Sequence, residues 1–190
     1  MSTRKKITFF ISSLGGGGAE MMTTKLANNL AKHGYDVDII LVKKQGSYLN
    51  ELSNNVHVVV FKGLPKKFMR TVFHTLPIMQ YLRREKPDVF IPIMTNNNLV
   101  GVLAKILSGS KTKLILNERN YFSLGYQYLS KTKRAVLTKL IHWLYPKADK
   151  IVVASFGVAD DLAQTCKIPR DMIEVVRNPV DIEFIEKKAK

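Results

Sequence analysis

Acidic residues, cysteine and long apolar runs are what this 190-residue chain has least of. Fifteen Asp and Glu stand against 30 Lys and Arg, a formal net charge of +15 at pH 7. Such an excess excludes a preference for basic partners and implies an anionic surface or polymer among those it meets. The single cysteine, Cys166, excludes an internal disulfide and a Cys-rich metal framework, and it fits a reducing compartment. It reads as a small core-facing residue. No stretch reaches the ~18 uninterrupted apolar residues that a membrane-spanning helix needs. The basic start Met1 to Lys6 followed by an apolar run has the outline of a signal peptide, but the run stops at glycines with no small-residue cleavage pattern. It reads instead as a first strand with a basic lead-in. Internal repeats and low-complexity segments are missing as well. What is present, 46% hydrophobic residues, suffices to bury the core of one domain.

The charge is concentrated in the middle. Seven Lys and Arg meet four acids in residues 1–60 and seven meet two in 61–104. Ten meet two in 105–150, and six meet seven in 151–190. Two expected helices carry much of this excess beside apolar side chains. The first, 66–85, has Lys66, Lys67 and Arg70 near Phe68 and Met69, with a break or kink expected at Pro77. The second, 131–145, has Lys131, Lys133, Arg134 and Lys139 near Trp143 and Leu144. Basic and apolar groups so arranged suit the interfacial plane of an anionic membrane, where each Lys or Arg is worth ~1 kcal/mol. Solvated faces over ordinary core contacts are the alternative.

Short apolar runs alternate with helical periodicity along the whole chain. Strands are expected at 7–11, 36–42, 56–61, 86–92, 113–116, 150–154 and 173–176, with connections too long for hairpins. The predicted fold class is α/β: a Rossmann-like, doubly wound parallel sheet of about seven strands with right-handed crossovers. Ser155 is placed to cap the helix that runs to Cys166, and Thr95 to Asn98 to cap a helix from Leu99. Those asparagines fall at the carboxyl end of a strand, where open α/β sheets place ligands. His57 reads as a packed or edge histidine within its strand.

The first turn organises the rest. After the strand at 7–11 come Gly15, Gly16, Gly17 and Gly18, then a helix with Met22, Leu26, Leu30 and Ala31 at helical spacing, closed by Gly34. Bare amides at a helix start can seat a phosphate, and equally the glycines can relieve crowding between strand and helix. A nicotinamide or flavin fingerprint does not fit. Glu20 or Met21 stands where its third glycine belongs, and Lys43 and Lys44 where its ribose-binding acid belongs.

Five segments in order resemble glycosyltransferase family 4: 14–20 with 26–37, Lys86-Pro87-Asp88-Val89, Asn117 to Asn120, Ala148 to Ser155, and Asn178-Pro179-Val180-Asp181. The resemblance spans nearly the entire chain. It implies one half of a GT-B fold, with residues 1–181 as the amino-terminal, acceptor-binding domain and 182–190 as a charged tail or the start of an interdomain connection. The donor-binding domain, with a pair of glutamates that grip the nucleotide sugar and with the catalytic residues, is expected outside this chain. Implied roles are donor-phosphate proximity for Gly16, Gly17 and Gly18, and acceptor contact for Asn96, Asn97, Glu118, Arg119 and Asn120. Many relatives carry histidine where Arg119 stands, and arginine suits phosphate contact. The implied activity is sugar transfer from a nucleotide sugar to a lipid-linked saccharide with retention and without metal or cofactor, at the cytoplasmic face of the plasma membrane, the chain alone being inactive. A second expectation, from the +15 charge and the tyrosines at 121–128, is a non-enzymatic nucleic-acid-binding domain with steep salt dependence.

Overall fold

A computed structural model describes residues 4–61 and 72–178. The order is β1 (Lys6–Ile11), α1 (Gly18–Lys32), β2 (Asp36–Leu41), β3 (Val56–Val60), α2 (Thr75–Glu85), β4 (Val89–Pro92) and α3 (Thr95–Ser108). Then follow β5 (Lys113–Glu118), α4 (Phe122–Gly125), α5 (Lys131–Leu144), β6 (Lys150–Val153), α6 (Phe156–Cys166) and β7 (Ile173–Val175). The seven strands form one parallel sheet in the order β3-β2-β1-β4-β5-β6-β7. Successive strands run outward from β1 in one direction through β3 and in the other from β4, so the order reverses between β1 and β4.

Alternation along each strand divides the core in two. Phe9 and Ile11 meet Ala27 and Ala31 of α1 on one face, whereas Phe10, Phe90, Leu114 and Leu116 meet α2, α3, α5 and α6 on the other. Parallel strands are apolar throughout because helices are expected over both sides. Here α1 lies over β1, β2 and β3, and beside it the same face of β5, β6 and β7 borders a groove.

Several expected boundaries shift for physical reasons. Pro77 does not kink a helix interior: α2 starts at Thr75, and a proline in the first turn deletes an N–H with no intrahelical acceptor. Residues 66–71 of that expected helix lie outside the described residues. Helix α3 begins at Thr95 rather than Leu99, so Asn96, Asn97 and Asn98 form its first turn instead of capping it. The segment 121–130, read as a loop, contains α4. Ser155 does cap α6, accepting from Val158 N, and Gly34 closes α1 at φ +85°. Cys166 is buried, which pushes its thiol up to about 12.

At the amino ends of the strands a second polar group is enclosed. Lys6 Nζ lies 3.1 Å from Asp38 and 3.0 Å from Glu85, while Tyr81 joins Asp38 to Thr8. Asp36, Asp38 and His57 could share a cation, and the Lys6 ammonium already lies against both aspartates.

Candidate functional site

The carboxyl edge around the β1/β4 reversal gathers the three segments singled out by sequence. The turn after β1 is held from behind by main chain: Leu14 N donates to Gln45 O at 3.0 Å, Tyr48 N to Leu14 O at 3.2 Å and Lys43 N to Ser12 O at 2.9 Å. Gly46 makes this brace possible. Its φ is +130°, and a Cβ there would lie 1.8 Å from Leu14 O.

The glycine run itself is different. None of Gly15 to Gly18 has a positive φ of the kind that favours glycine, and a Cβ on Gly16 or Gly18 would meet no described atom within 4 Å. Crowding among the described residues therefore does not account for these two. Gly17 caps α1 without any side-chain hydrogen bond, and Glu20 Oε2 would stand 2.3 Å from a Cβ placed on it. The result is a patch of bare backbone leading into the amino end of a 15-residue helix, whose dipole favours an anion and whose first turn already holds the Glu20 carboxylate beside Gly17.

Beside it, β4 ends in a strained turn. Met94 has φ +74° and ψ +151°, a region that side chains avoid at a cost of about 1–3 kcal/mol. The strain sets up the start of α3: Met94 N donates to Asn117 O at 2.9 Å, Asn97 Nδ2 to Ile93 O at 2.7 Å, and Ser12 Oγ reaches Asn97 Oδ1 at 3.3 Å. Asn97 thus ties the glycine turn to α3, while Asn96 faces solvent.

The segment after β5 is split by strand alternation. Glu118 points to the helical side and is only 3% exposed. Its Oε2 accepts from Thr95 Oγ1 and Tyr145 OH, both at 2.8 Å, and its Oε1 from Arg119 N at 3.1 Å. Burial pushes the Glu118 carboxyl above its ordinary value, against the pull of these hydrogen bonds. Tyr145 is raised well above its own by burial first and the Glu118 charge second. Asn98 donates to Tyr145 OH at 3.2 Å and leaves its Oδ1 without a partner.

Asn117 and Arg119 point the other way, into the groove of about 550 Å³ between α1 and the open face of β5 to β7. Asn117 is 8% exposed with Oδ1 unpartnered. Arg119 donates through Nη1 to Asn178 Oδ1, its Nε is unpartnered, and burial lowers its pKa. Lys25, Lys32 and Arg177 share the groove with it, Met22 and Leu26 supply apolar wall, and no Asp or Glu lines it among the described residues. Glu118 and Arg119 consequently form no ion pair, and Asn120 is exposed between the two sides. The sequence reading missed Thr95, Asn98 and Tyr145 as partners of Glu118. Two-residue alternation from Leu114 and Leu116 was the available signal that Glu118 turns inward.

Of the basic surface residues, Lys131, Lys133 and Arg134 are exposed on α5, while Lys66, Lys67 and Arg70 lie outside the described residues. Helix α5 buries only Ile141 fully, leaving Val136, Leu140 and Trp143 as an exposed stripe, with Trp143 at 74%. Among the described residues no helix is long and apolar enough to cross a membrane.

The sequence profile of glycosyltransferase family 4 matches residues 16–184. The chain belongs to that family. It is 30% identical over 191 residues to a Campylobacter jejuni N-acetylgalactosamine-N,N'-diacetylbacillosaminyl-diphospho-undecaprenol 4-alpha-N-acetylgalactosaminyltransferase, covering 97% of this chain and 51% of that relative. A second Campylobacter jejuni enzyme, a GalNAc-alpha-(1->4)-GalNAc-alpha-(1->3)-diNAcBac-PP-undecaprenol alpha-1,4-N-acetyl-D-galactosaminyltransferase, is 33% identical over 123 residues, 60% of this chain and 32% of its own length. Among solved structures, the lipopolysaccharide outer core galactosyltransferase WaaB superposes with TM-score 0.67 at 21% identity, over 93% of this chain and 46% of that one. Anabaena HepE, solved with UDP-glucose, gives 0.71 at 18% identity, over 94% and 45%. The fold is that of one half of a GT-B glycosyltransferase, and the chain spans about half the length of the family members it matches across its whole extent.

Proposed function

We propose that residues 1–181 are the acceptor-binding half of a retaining glycosyltransferase, with 182–190 beginning the connection to a donor-binding domain. The substrate pair is a nucleotide sugar and a saccharide carried on a polyprenyl diphosphate lipid. Transfer needs neither metal nor cofactor, and this half is inactive by itself. The observation that carries the reading is the open glycine turn: Gly16 and Gly18 relieve no crowding among the described residues, yet they clear the approach to a helix amino end at the edge where such sheets bind ligands. Across that edge a second domain presents the donor diphosphate to Gly16, Gly17 and Gly18. Asn97, with Asn96 and Asn120 beside it, borders the acceptor. Glu118 holds the loop from beneath, and Arg119 supplies positive charge toward an anionic group. The relatives' names specify α-linked products, which is retention when the donor sugar is α-linked.

The lipid carrier brings the domain to the cytoplasmic face of a membrane. Supporting this is the α5 stripe of Val136, Leu140 and Trp143 with Lys131, Lys133, Arg134 and Lys139 on the same helix. Calorimetric titration of the chain with UDP-sugars and with a saccharide-diphosphate-lipid acceptor tests the assignment. Acceptor binding without tight nucleotide binding is expected, and a complete nucleotide pocket within these residues would overturn it.

A further inference from the structure

The aromatic segment after β5 lies on the same edge of the sheet, and its exposed rings, Tyr121 and Tyr128, are used neither by the glycine turn nor by the Glu118 network. Its construction is unusual for a surface loop. Phe122 is buried, its ring lies 5.1 Å from Tyr126 between centroids, and Tyr126 lies 6.3 Å from Tyr128, whose side chain is 76% exposed. Rings therefore step from the core out to solvent. The segment is pinned at several points: Ser123 N donates to Asp161 at 3.1 Å, Gly125 N to Tyr121 O at 2.8 Å, and the Tyr126 hydroxyl reaches Thr95, the residue that donates to Glu118. Tyr121 is fixed too, because its hydroxyl lies so close over α6 that a Cβ on Gly157 would stand 1.9 Å from it.

Large rings held rigidly and left exposed bind with little loss of conformational freedom, which is the property of a preorganised platform. An aliphatic patch would suit a lipid chain. Here the exposed apolar groups of the segment are two tyrosines, each with a flat apolar face and a hydroxyl, with Leu124 as the single aliphatic residue among them and the Asn120 amide exposed in the same segment. That combination matches a pyranose ring, which offers an apolar face of C–H groups and a rim of hydroxyls.

We propose that Tyr128, backed by Tyr126 and Phe122, is the stacking platform for a sugar ring of the acceptor, and so a specificity-determining residue of this half. The inference rests on the acceptor-binding reading above. The test measures binding of an N-acetylgalactosamine-terminated oligosaccharide to the 190-residue chain by saturation-transfer NMR titration, for wild type, Tyr128→Ala, Tyr128→Phe and Leu124→Ala. Stacking on an aromatic face predicts about tenfold weaker binding for Tyr128→Ala. Tyr128→Phe and Leu124→Ala should stay near wild type, with unchanged thermal midpoints throughout because both side chains are exposed. Equal affinity in Tyr128→Ala overturns the platform while leaving the acceptor reading intact. Loss of partitioning to anionic vesicles in Tyr128→Ala, with saccharide affinity unchanged, overturns it in favour of a lipid contact. No saccharide binding by the wild type defeats both readings.

Discussion

Two glycines of the same edge are required for opposite reasons, and substitution separates them. Gly46 is needed by the fold, since its φ of +130° and the Leu14 carbonyl behind it leave no place for a Cβ. Gly46→Ala should cost about 3 kcal/mol or more in urea denaturation. On the proposed function Gly16 is needed by what binds, so Gly16→Ala should change stability by less than about 0.5 kcal/mol while weakening use of a nucleotide sugar by the assembled enzyme. Glu118 gives a pH signature. Its carboxyl is raised by burial, so its contribution to stability is fully present below the ordinary value of 4.5 and is lost as pH rises through the raised native value. The stability of wild type minus that of Glu118→Gln should fall as pH rises above 4.5, and a flat difference would mean that Glu118 folds in ionised at no cost. The sequence marked Gly16 and Glu118 but not these distinctions. Gly46 was invisible because its constraint comes from Leu14, 32 positions away, and the burial of Glu118 depends on Tyr145, 27 positions on and just past the end of α5.

Helix α5 shows how an element can carry two apolar stripes with different purposes. Leu137, Ile141 and Leu144 face the core, while Val136, Leu140 and Trp143 are turned about 100° away per residue step, toward solvent. Ile141→Ala should cost about 2–4 kcal/mol. Trp143→Ser should cost less than about 0.5 kcal/mol yet reduce flotation with anionic vesicles, an effect that added salt also produces through the lysines. Unchanged flotation would leave the stripe without its assigned role. Apolar spacing alone located this helix correctly, but periodicity cannot tell which of two adjacent stripes meets the sheet. Helix α3 makes a related point: its start moved to Thr95 because the strained Met94 and the bond from Asn97 to Ile93 begin the turn earlier than capping preferences suggest.

On the scale of the molecule, the parallel seven-stranded order follows from alternating apolar strands and long crossovers, which is why the architecture was legible from sequence. The site was legible only in part, because a site on one edge of a sheet is built from turns far apart in the chain. Strand alternation then sends Glu118 into the core and Arg119 into the basic groove beside α1. The +15 charge acquires locations: Lys25, Lys32, Arg119 and Arg177 around that groove, and the lysines of α5 on the opposite face. On the proposed function, the open glycine turn works against a second wall. The decisive measurement is sugar transfer from UDP-N-acetylgalactosamine to a polyprenyl-diphosphate saccharide, by this chain alone and by this chain fused to the donor-binding half of the Campylobacter jejuni relative. No turnover alone and turnover in the fusion is the predicted result, whereas sustained transfer by the 190 residues alone would contradict it.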